Sequence, residues 1–87
     1  MPRSQRRTKL FISNLPFDCN WRALRDTFAQ VGAVRRADII LDAAGRSRGM
    51  GTVVFDSPDE AKKAVDEFDG IEMAGRPMGV RFDRDTE

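Results

Sequence analysis

The spacing of apolar residues changes several times along this chain, and the order of those changes restricts the possible folds more than any other feature. Residues Lys9 to Asn14 begin by alternating apolar and polar side chains, which is the period of a half-buried β-strand. Asn20 is a favourable helix N-cap, and apolar residues then recur every three or four positions until Gly32. This helical stripe consists of Trp21, Leu24, Phe28 and Val31. The first third of the chain therefore predicts a strand followed by a helix.

The next segment predicts a β-hairpin. Val34 to Leu41 and Gly49 to Phe55 both contain the β-branched and large apolar residues that strands favour. Between them, Asp42-Ala43-Ala44-Gly45 supplies residues typical of a turn. We therefore expect these two strands to be neighbours in one antiparallel sheet.

A second helix and a last strand complete the pattern. Ser57 and Pro58 suit the N-cap and the first helical position, and Glu60 is expected to complete a capping box. The apolar face of this helix is Ala61, Ala64, Val65 and Phe68, and the last strand buries Met78, Val80 and Phe82. The order βαββαβ predicts an α+β, ferredoxin-like sandwich, in which right-handed crossovers place both helices on one face of a four-stranded antiparallel sheet. The other face of that sheet is left open.

The composition argues against several classes of function. The 87 residues include one cysteine and no histidine, so neither an internal disulfide nor the usual zinc spacings can form. Histidine and tyrosine are both missing as acid–base groups, and we expect no enzymatic activity and no cofactor. Cys19 has no histidine to activate it and is interpreted as an incidental thiol. No apolar run approaches the roughly 20 residues that span a bilayer, so no membrane association is expected.

Charged residues are distributed unevenly, although the formal net charge is only +1. The first nine residues carry four basic residues and no acid, whereas residues 56–69 carry six acids and two lysines. Arginine outnumbers lysine 12 to 3, and the planar guanidinium suits phosphate contacts and stacking on bases. This bias favours a nucleic-acid partner. We interpret residues 1–8 as a basic N-terminal arm, residues 9–84 as the folded domain and residues 85–87 as a C-terminal tail.

Two motifs in the predicted central strands resemble those of the RNA recognition motif family. Leu10-Phe11-Ile12-Ser13-Asn14-Leu15 is similar to the family's hexamer at every defining position. The segment from Arg48 to Phe55 resembles its octamer, but Met50 and Thr52 stand where the family has aromatic residues. The resemblance covers about residues 9 to 83 and implies a role in mRNA processing or export, inside the cell and in the nucleus rather than the cytoplasm. Within the family, Asn20-Trp21 and Gly45-Arg46-Ser47-Arg48-Gly49 resemble M-type heterogeneous nuclear ribonucleoproteins and yeast shuttling messenger-binding proteins. Gly75-Arg76-Pro77-Met78 is similar to mRNA-export adaptors.

Strand alternation predicts which side chains reach the open face of the sheet. In the family, exposed aromatic residues of the central strands stack unpaired bases. The resemblance therefore implies that Phe11 is a stacking platform, and that the loss of two other aromatic residues weakens binding. Arginines are expected to contact phosphates. The predicted RNA-binding residues are Phe11, Ser13, Arg36, Arg46, Arg48, Met50, Thr52, Arg81 and Arg84.

Two other functions stay open at this stage. A family member with a weakened octamer can bind a protein through its helical face, and Trp21 is either the edge of the core or an anchor for such a partner. An acylphosphatase-type hydrolase would need a phosphate-binding loop after the first strand, but Leu15-Pro16-Phe17-Asp18 places an acid there. The glycines around Gly49 lack the Gly-Lys-Ser/Thr ending of a nucleotide-phosphate loop. We expect a monomer that binds single-stranded RNA or, through its helices, a protein.

Overall fold

The computed structural model of the chain describes residues 8–73 and 75–83. Within these ranges, two helices and a four-stranded antiparallel sheet occur in the predicted order, and the ferredoxin-like fold is confirmed. The elements are β1 (Lys9–Ser13), α1 (Trp21–Phe28), β2 (Val34–Leu41), β3 (Ser47–Phe55), α2 (Pro58–Phe68), β4 (Glu72–Met73), β5 (Arg76–Pro77) and β6 (Gly79–Phe82). The basic residues before Thr8 and the predicted tail at residues 85–87 lie outside the described residues.

The sheet has the strand order β2-β3-β1-β6, so the two strands that carry the family motifs lie at its centre. All three pairings are antiparallel. Two irregularities interrupt the β2–β3 ladder, one between Val34 and Arg36 and the other beyond Ile40. At the second irregularity β3 contains two extra residues, and one of them, Gly49, has a φ of 77°. Such a left-handed backbone favours glycine.

The core lies between the sheet and the helices and is built from alternate residues of the central strands. The ring centroid of Phe28 on α1 lies 6.4 Å from that of Phe55 and 4.9 Å from that of Phe68. Burying one such large apolar side chain stabilises a fold by about 1.5–3 kcal/mol. The buried residues are Leu10, Ile12, Leu15, Cys19, Leu24, Phe28, Val53, Phe55, Ala61, Ala64, Met78 and Val80.

Side-chain caps begin both helices at the predicted residues. Asn20 Oδ1 accepts a hydrogen bond from the Ala23 backbone N–H at 2.9 Å, and Ser57 Oγ accepts one from the Glu60 N–H at 3.3 Å. The other half of the predicted capping box does not form within the described part of the chain. Glu60 instead packs over Gly32, and its Oε1 is buried without a hydrogen-bond partner among the described residues.

Three local features differ from the sequence prediction. Helix α1 ends at Phe28, before the predicted stop, because the next residues form turns. Trp21 leaves 46% of its surface exposed, so the buried stripe of this helix does not include it. A small β4–β5 hairpin turns at Gly75, whose φ is 83°.

Within residues 8–73 and 75–83, no helix has the length and apolarity needed to cross a bilayer.

Candidate nucleic-acid interface

The surface of the sheet opposite the core, which we call the sheet face, is formed by alternate residues of β1 and β3. Phe11 lies at its centre, because its Cα pairs with Thr52 on one side and with Arg81 on the other. Ser13 is the next such residue along β1, and Met50 is the next along β3. The half-buried residues on this side of the two strands include Phe11, Ser13, Met50 and Thr52. They share one side of the sheet, as strand alternation requires. Their role in RNA binding stays a prediction.

A cavity of about 530 Å³ opens on the sheet face. Its lining includes Phe11, Thr52 and Arg81, which were predicted as site residues, and Lys9, Ile40 and Asp83, which were not. Lys9 shares the alternation of Phe11 and was therefore within reach of the sequence pattern. Ile40 shares the alternation of Arg36, because the β2–β3 ladder is unbroken between these two residues, and it was within reach in the same way. The cavity combines apolar walls with cationic side chains, which are the two features that an unpaired nucleotide requires.

The Arg81 guanidinium lies over the ring of Phe11, with its central carbon 5.0 Å from the ring centroid. This distance is typical of a cation–π contact. Beside it, Lys9 Nζ lies 3.7 Å from Asp83 Oδ2 and links the ends of β1 and β6. A base can therefore stack on this side of the Phe11 ring only if the guanidinium moves.

Two of the predicted phosphate-binding arginines are paired with aspartates. Arg36 Nε donates to Asp38 Oδ2 at 2.7 Å, and Arg46 Nε lies 3.7 Å from Asp42 Oδ2. Both pairs are exposed to solvent, where an ion pair stabilises the fold by about 1 kcal/mol or less. A phosphate can therefore compete for either arginine at a small free-energy cost.

The predicted phosphate-binding arginines lie farther apart on the surface than expected. The structure places Arg36 opposite Val54 at one end of the sheet and Arg46 in the turn at the other end. Arg48 is exposed in the irregular part of β3 and makes no ion pair with the described residues. Arg84 lies outside the described residues. Among the predicted residues, Phe11, Thr52 and Arg81 line the same cavity.

Trp21 and Cys19 lie on the helical side of the molecule. The Arg22 and Arg25 guanidinium carbons lie 5.4 Å and 5.2 Å from the Trp21 ring centroid. Burial raises the pKa of the Cys19 thiol, and the negative charge of Asp18 raises it further. The thiol is therefore protonated near neutral pH and is a poor nucleophile. No group of three metal-binding side chains occurs within the described ranges.

The chain is similar in sequence to a protein described as a shuttling mRNA-binding protein and to a heterogeneous nuclear ribonucleoprotein. It is 46% identical over 76 residues to the serine/arginine-type shuttling mRNA-binding protein GBP2 of Saccharomyces cerevisiae, covering 87% of this chain and 18% of that protein. It is 41% identical over 78 residues to heterogeneous nuclear ribonucleoprotein M of Homo sapiens, covering 90% of this chain and 10% of that protein. The chain thus spans between a tenth and a fifth of the length of these relatives.

Solved structures with the same fold include RNA-binding domains. The second domain of the yeast poly(U)-binding protein Pub1 superposes with a TM-score of 0.82 at 30% identity, covering 92% of this chain and 98% of that one. A structure described as the Sxl-lethal protein/RNA complex superposes with a TM-score of 0.85 at 27% identity, covering 95% of this chain and 52% of that one. The family model described as RNA recognition motif matches residues 10–79. The chain therefore belongs to the RNA recognition motif family.

Proposed function

We propose that this domain binds single-stranded RNA on the sheet face, by stacking a base on Phe11 and by contacting phosphates through arginines. The observation that carries the proposal is the position of Phe11, half-exposed at the centre of the sheet face beside Thr52 and under Arg81. An aromatic ring there offers a flat surface to an unpaired base, and the adjacent guanidinium offers a contact to its phosphate. The domain acts as a binding module without catalysis.

The expected affinity of the isolated domain is modest. Stacking on one aromatic side chain contributes about 1–3 kcal/mol per base, and Met50 and Thr52 replace two further rings. We expect dissociation constants around micromolar or weaker, with little sequence preference. Lys9 and Ile40, which also line the cavity, supply a cation and an apolar wall beside the stacked base.

The relatives suggest where this binding is used. GBP2 is described as a shuttling mRNA-binding protein, and the Sxl-lethal protein is described in complex with RNA. By extension, this chain serves mRNA processing or export, in the nucleus. The basic arm at residues 1–8 adds sequence-independent attraction to phosphates.

The test is a titration of fluorescently labelled single-stranded RNA with the wild-type domain and with Phe11→Ala. The substitution removes a half-exposed ring and no core contact, so circular dichroism should stay unchanged while affinity falls by about 1–3 kcal/mol. Ile71→Ala is the matched control, because it truncates an exposed apolar side chain that lies outside the four-stranded sheet. Equal RNA affinity of wild type and Phe11→Ala would refute stacking on this residue.

A protein-binding role is the second candidate, and the surroundings of Trp21 favour it. A groove of about 320 Å³ beside this ring is lined by Cys19, Ile39 and Leu41, of which Leu41 is 55% exposed. Tryptophan and arginine are enriched at the centres of protein interfaces. If this role replaces RNA binding, Trp21→Ala will abolish association with a protein partner and Phe11→Ala will leave RNA affinity at its background value.

A further inference from the structure

Phe17 is an exposed aromatic residue outside the sheet, in the connection between β1 and α1. Its exposed fraction, 65%, is the largest among the exposed large hydrophobic residues of the described ranges. The ring nevertheless has a defined support, since a Cβ atom added at Gly49 would lie 3.3 Å from Phe17 Cε1. The irregular part of β3 therefore forms a floor on which this ring rests. An exposed ring held in one place by the backbone is suited to binding a flat ligand.

Arg76 of β5 lies above the same ring, with its guanidinium carbon 5.2 Å from the ring centroid. Asn14 holds the guanidinium there, because its Oδ1 accepts a hydrogen bond from Arg76 Nη2 at 3.0 Å. Asn14 is itself fixed at the end of β1, where its Nδ2 donates to the Pro77 carbonyl at 2.8 Å. Within the described residues, no carboxylate forms an ion pair with Arg76. Its charge is therefore available to a ligand.

A second arginine borders Phe17 from the β2–β3 turn. A cavity of about 450 Å³ is lined by Phe17, Asp42, Arg46 and Ser47. Asp42 Oδ1 is engaged by the backbone N–H groups of its own turn, from Ala44 at 2.9 Å and from Arg46 at 3.0 Å. The Arg46 side chain is 80% exposed. Apart from the aromatic ring the cavity walls are polar, which suits a nucleotide better than an apolar peptide side chain.

We propose that Phe17 and Arg76 form a second base-binding site, which clamps one unpaired nucleobase between ring and guanidinium while Arg46 contacts the adjacent phosphate. This inference rests on the proposed RNA-binding function and adds a site beyond the sheet face. Insertion of a base widens the separation of the two groups from 5.2 Å to about 7 Å, twice the contact distance of stacked atoms. Arg76 can make this movement because its side chain is long and is anchored through one hydrogen bond, which its Nη2 donates to Asn14 Oδ1. Asn14 acts as a positioning residue for the guanidinium.

Nuclear magnetic resonance separates this site from the sheet face. The domain is titrated with each of the four ribonucleoside monophosphates and with a short single-stranded RNA, first as wild type and then as Phe11→Ala, which removes the sheet-face platform. We expect the Gly49 amide and the Arg76 Nε–H to shift in both proteins, and to stop shifting in Phe17→Ala. If single-stranded RNA shifts only the resonances of Phe11, Thr52 and their neighbours, the clamp is refuted and the proposed function stands. If RNA shifts only the resonances of the Phe17 site, such as the Gly49 amide and the Arg76 Nε–H, the sheet-face proposal fails and the clamp stands.

Affinity measurements with short single-stranded RNA provide the second arm. Phe17→Ala should weaken binding at least fivefold, which is the lower end for one stacked base. Arg76→Lys keeps the charge but loses the flat guanidinium, so it should weaken binding nearly as much as Arg76→Ala. Ile71→Ala serves again as the control. Full affinity of Phe17→Ala would overturn the clamp, whether that ring is inert or reserved for a protein, and full rescue by lysine would reduce Arg76 to a phosphate contact and overturn the clamp equally.

Discussion

Restoring aromatic rings at the two positions where the octamer departs from the family pattern tests the sheet face most directly. Met50→Phe with Thr52→Phe adds two rings on the side of the sheet that already carries Phe11. Thr52 pairs directly with Phe11, so a ring at this position creates two adjacent platforms. Each platform is expected to contribute about 1–3 kcal/mol. The gain at Met50 should lie near the lower limit, because its flexible side chain is itself expected to lie against a base and Ile40 lies directly opposite it on β2.

The summed expectation is a gain of at least about 2 kcal/mol, or roughly 30-fold tighter binding. The assay is fluorescence anisotropy with labelled single-stranded RNA, and circular dichroism checks that the double variant is folded. Met50→Leu with Thr52→Leu is the matched control, since it adds apolar surface without an aromatic face. A folded aromatic variant that binds no tighter than the leucine variant would show that bases do not stack on this side of the sheet.

Three further outcomes are expected. Gly51→Ala should destabilise the domain by about 1–3 kcal/mol in urea unfolding, because the new Cβ would lie 2.7 Å from the Asp38 backbone oxygen and 2.9 Å from Leu24 Cδ2; wild-type stability would show that these neighbours can move aside. The logarithm of RNA affinity should fall with the logarithm of salt concentration at a slope of about −2 to −3, and Arg46→Ala and Arg81→Ala should each reduce it by about 0.7. Unchanged slopes in both variants would assign these arginines to solubility. Alkylation of Cys19 should be slow at pH 7 and accelerate above the ordinary thiol pKa, because burial raises the pKa of this thiol. The unfolded chain then loses its proton first, so the free energy of unfolding should fall as pH rises through that range; rapid labelling at neutral pH would contradict the raised pKa.

The parts of the fold that depend on local patterns could be predicted from the sequence. Alternation around Phe11 and Thr52 identified which residues lie opposite the core, because a strand has a fixed period of two. Asn20 and Ser57 identified the helix starts, since each side chain accepts a hydrogen bond from an N–H three residues ahead. These relations involve only neighbours in the chain and leave a signal in the sequence.

Contacts between distant segments could not be predicted in this way. Asn14 and Arg76 are 62 positions apart, and their hydrogen bond depends on how β5 packs beside the end of β1. Trp21 matched a helical stripe but lies on the exposed first turn of α1, where no second layer covers it. The irregularity between Val34 and Arg36 adds one residue to β2 and reverses its alternation, so that Ile40 lies on the opposite side of the sheet from Val34; strict alternation counted from Val34 does not predict this.

The irregular start of β2 also affects how this domain behaves beside other copies of itself. As an edge strand, β2 presents unpaired backbone N–H and C=O groups to which another chain could add. The register shift after Val34 bends this edge, and Arg35 and Arg36 follow at the same place, each close to an aspartate. A strand arriving from a second molecule would meet a kinked ladder and two solvated guanidinium groups. Arg35 and Arg36 therefore oppose edge-to-edge aggregation, so replacing them with apolar residues should raise the tendency to aggregate even without RNA.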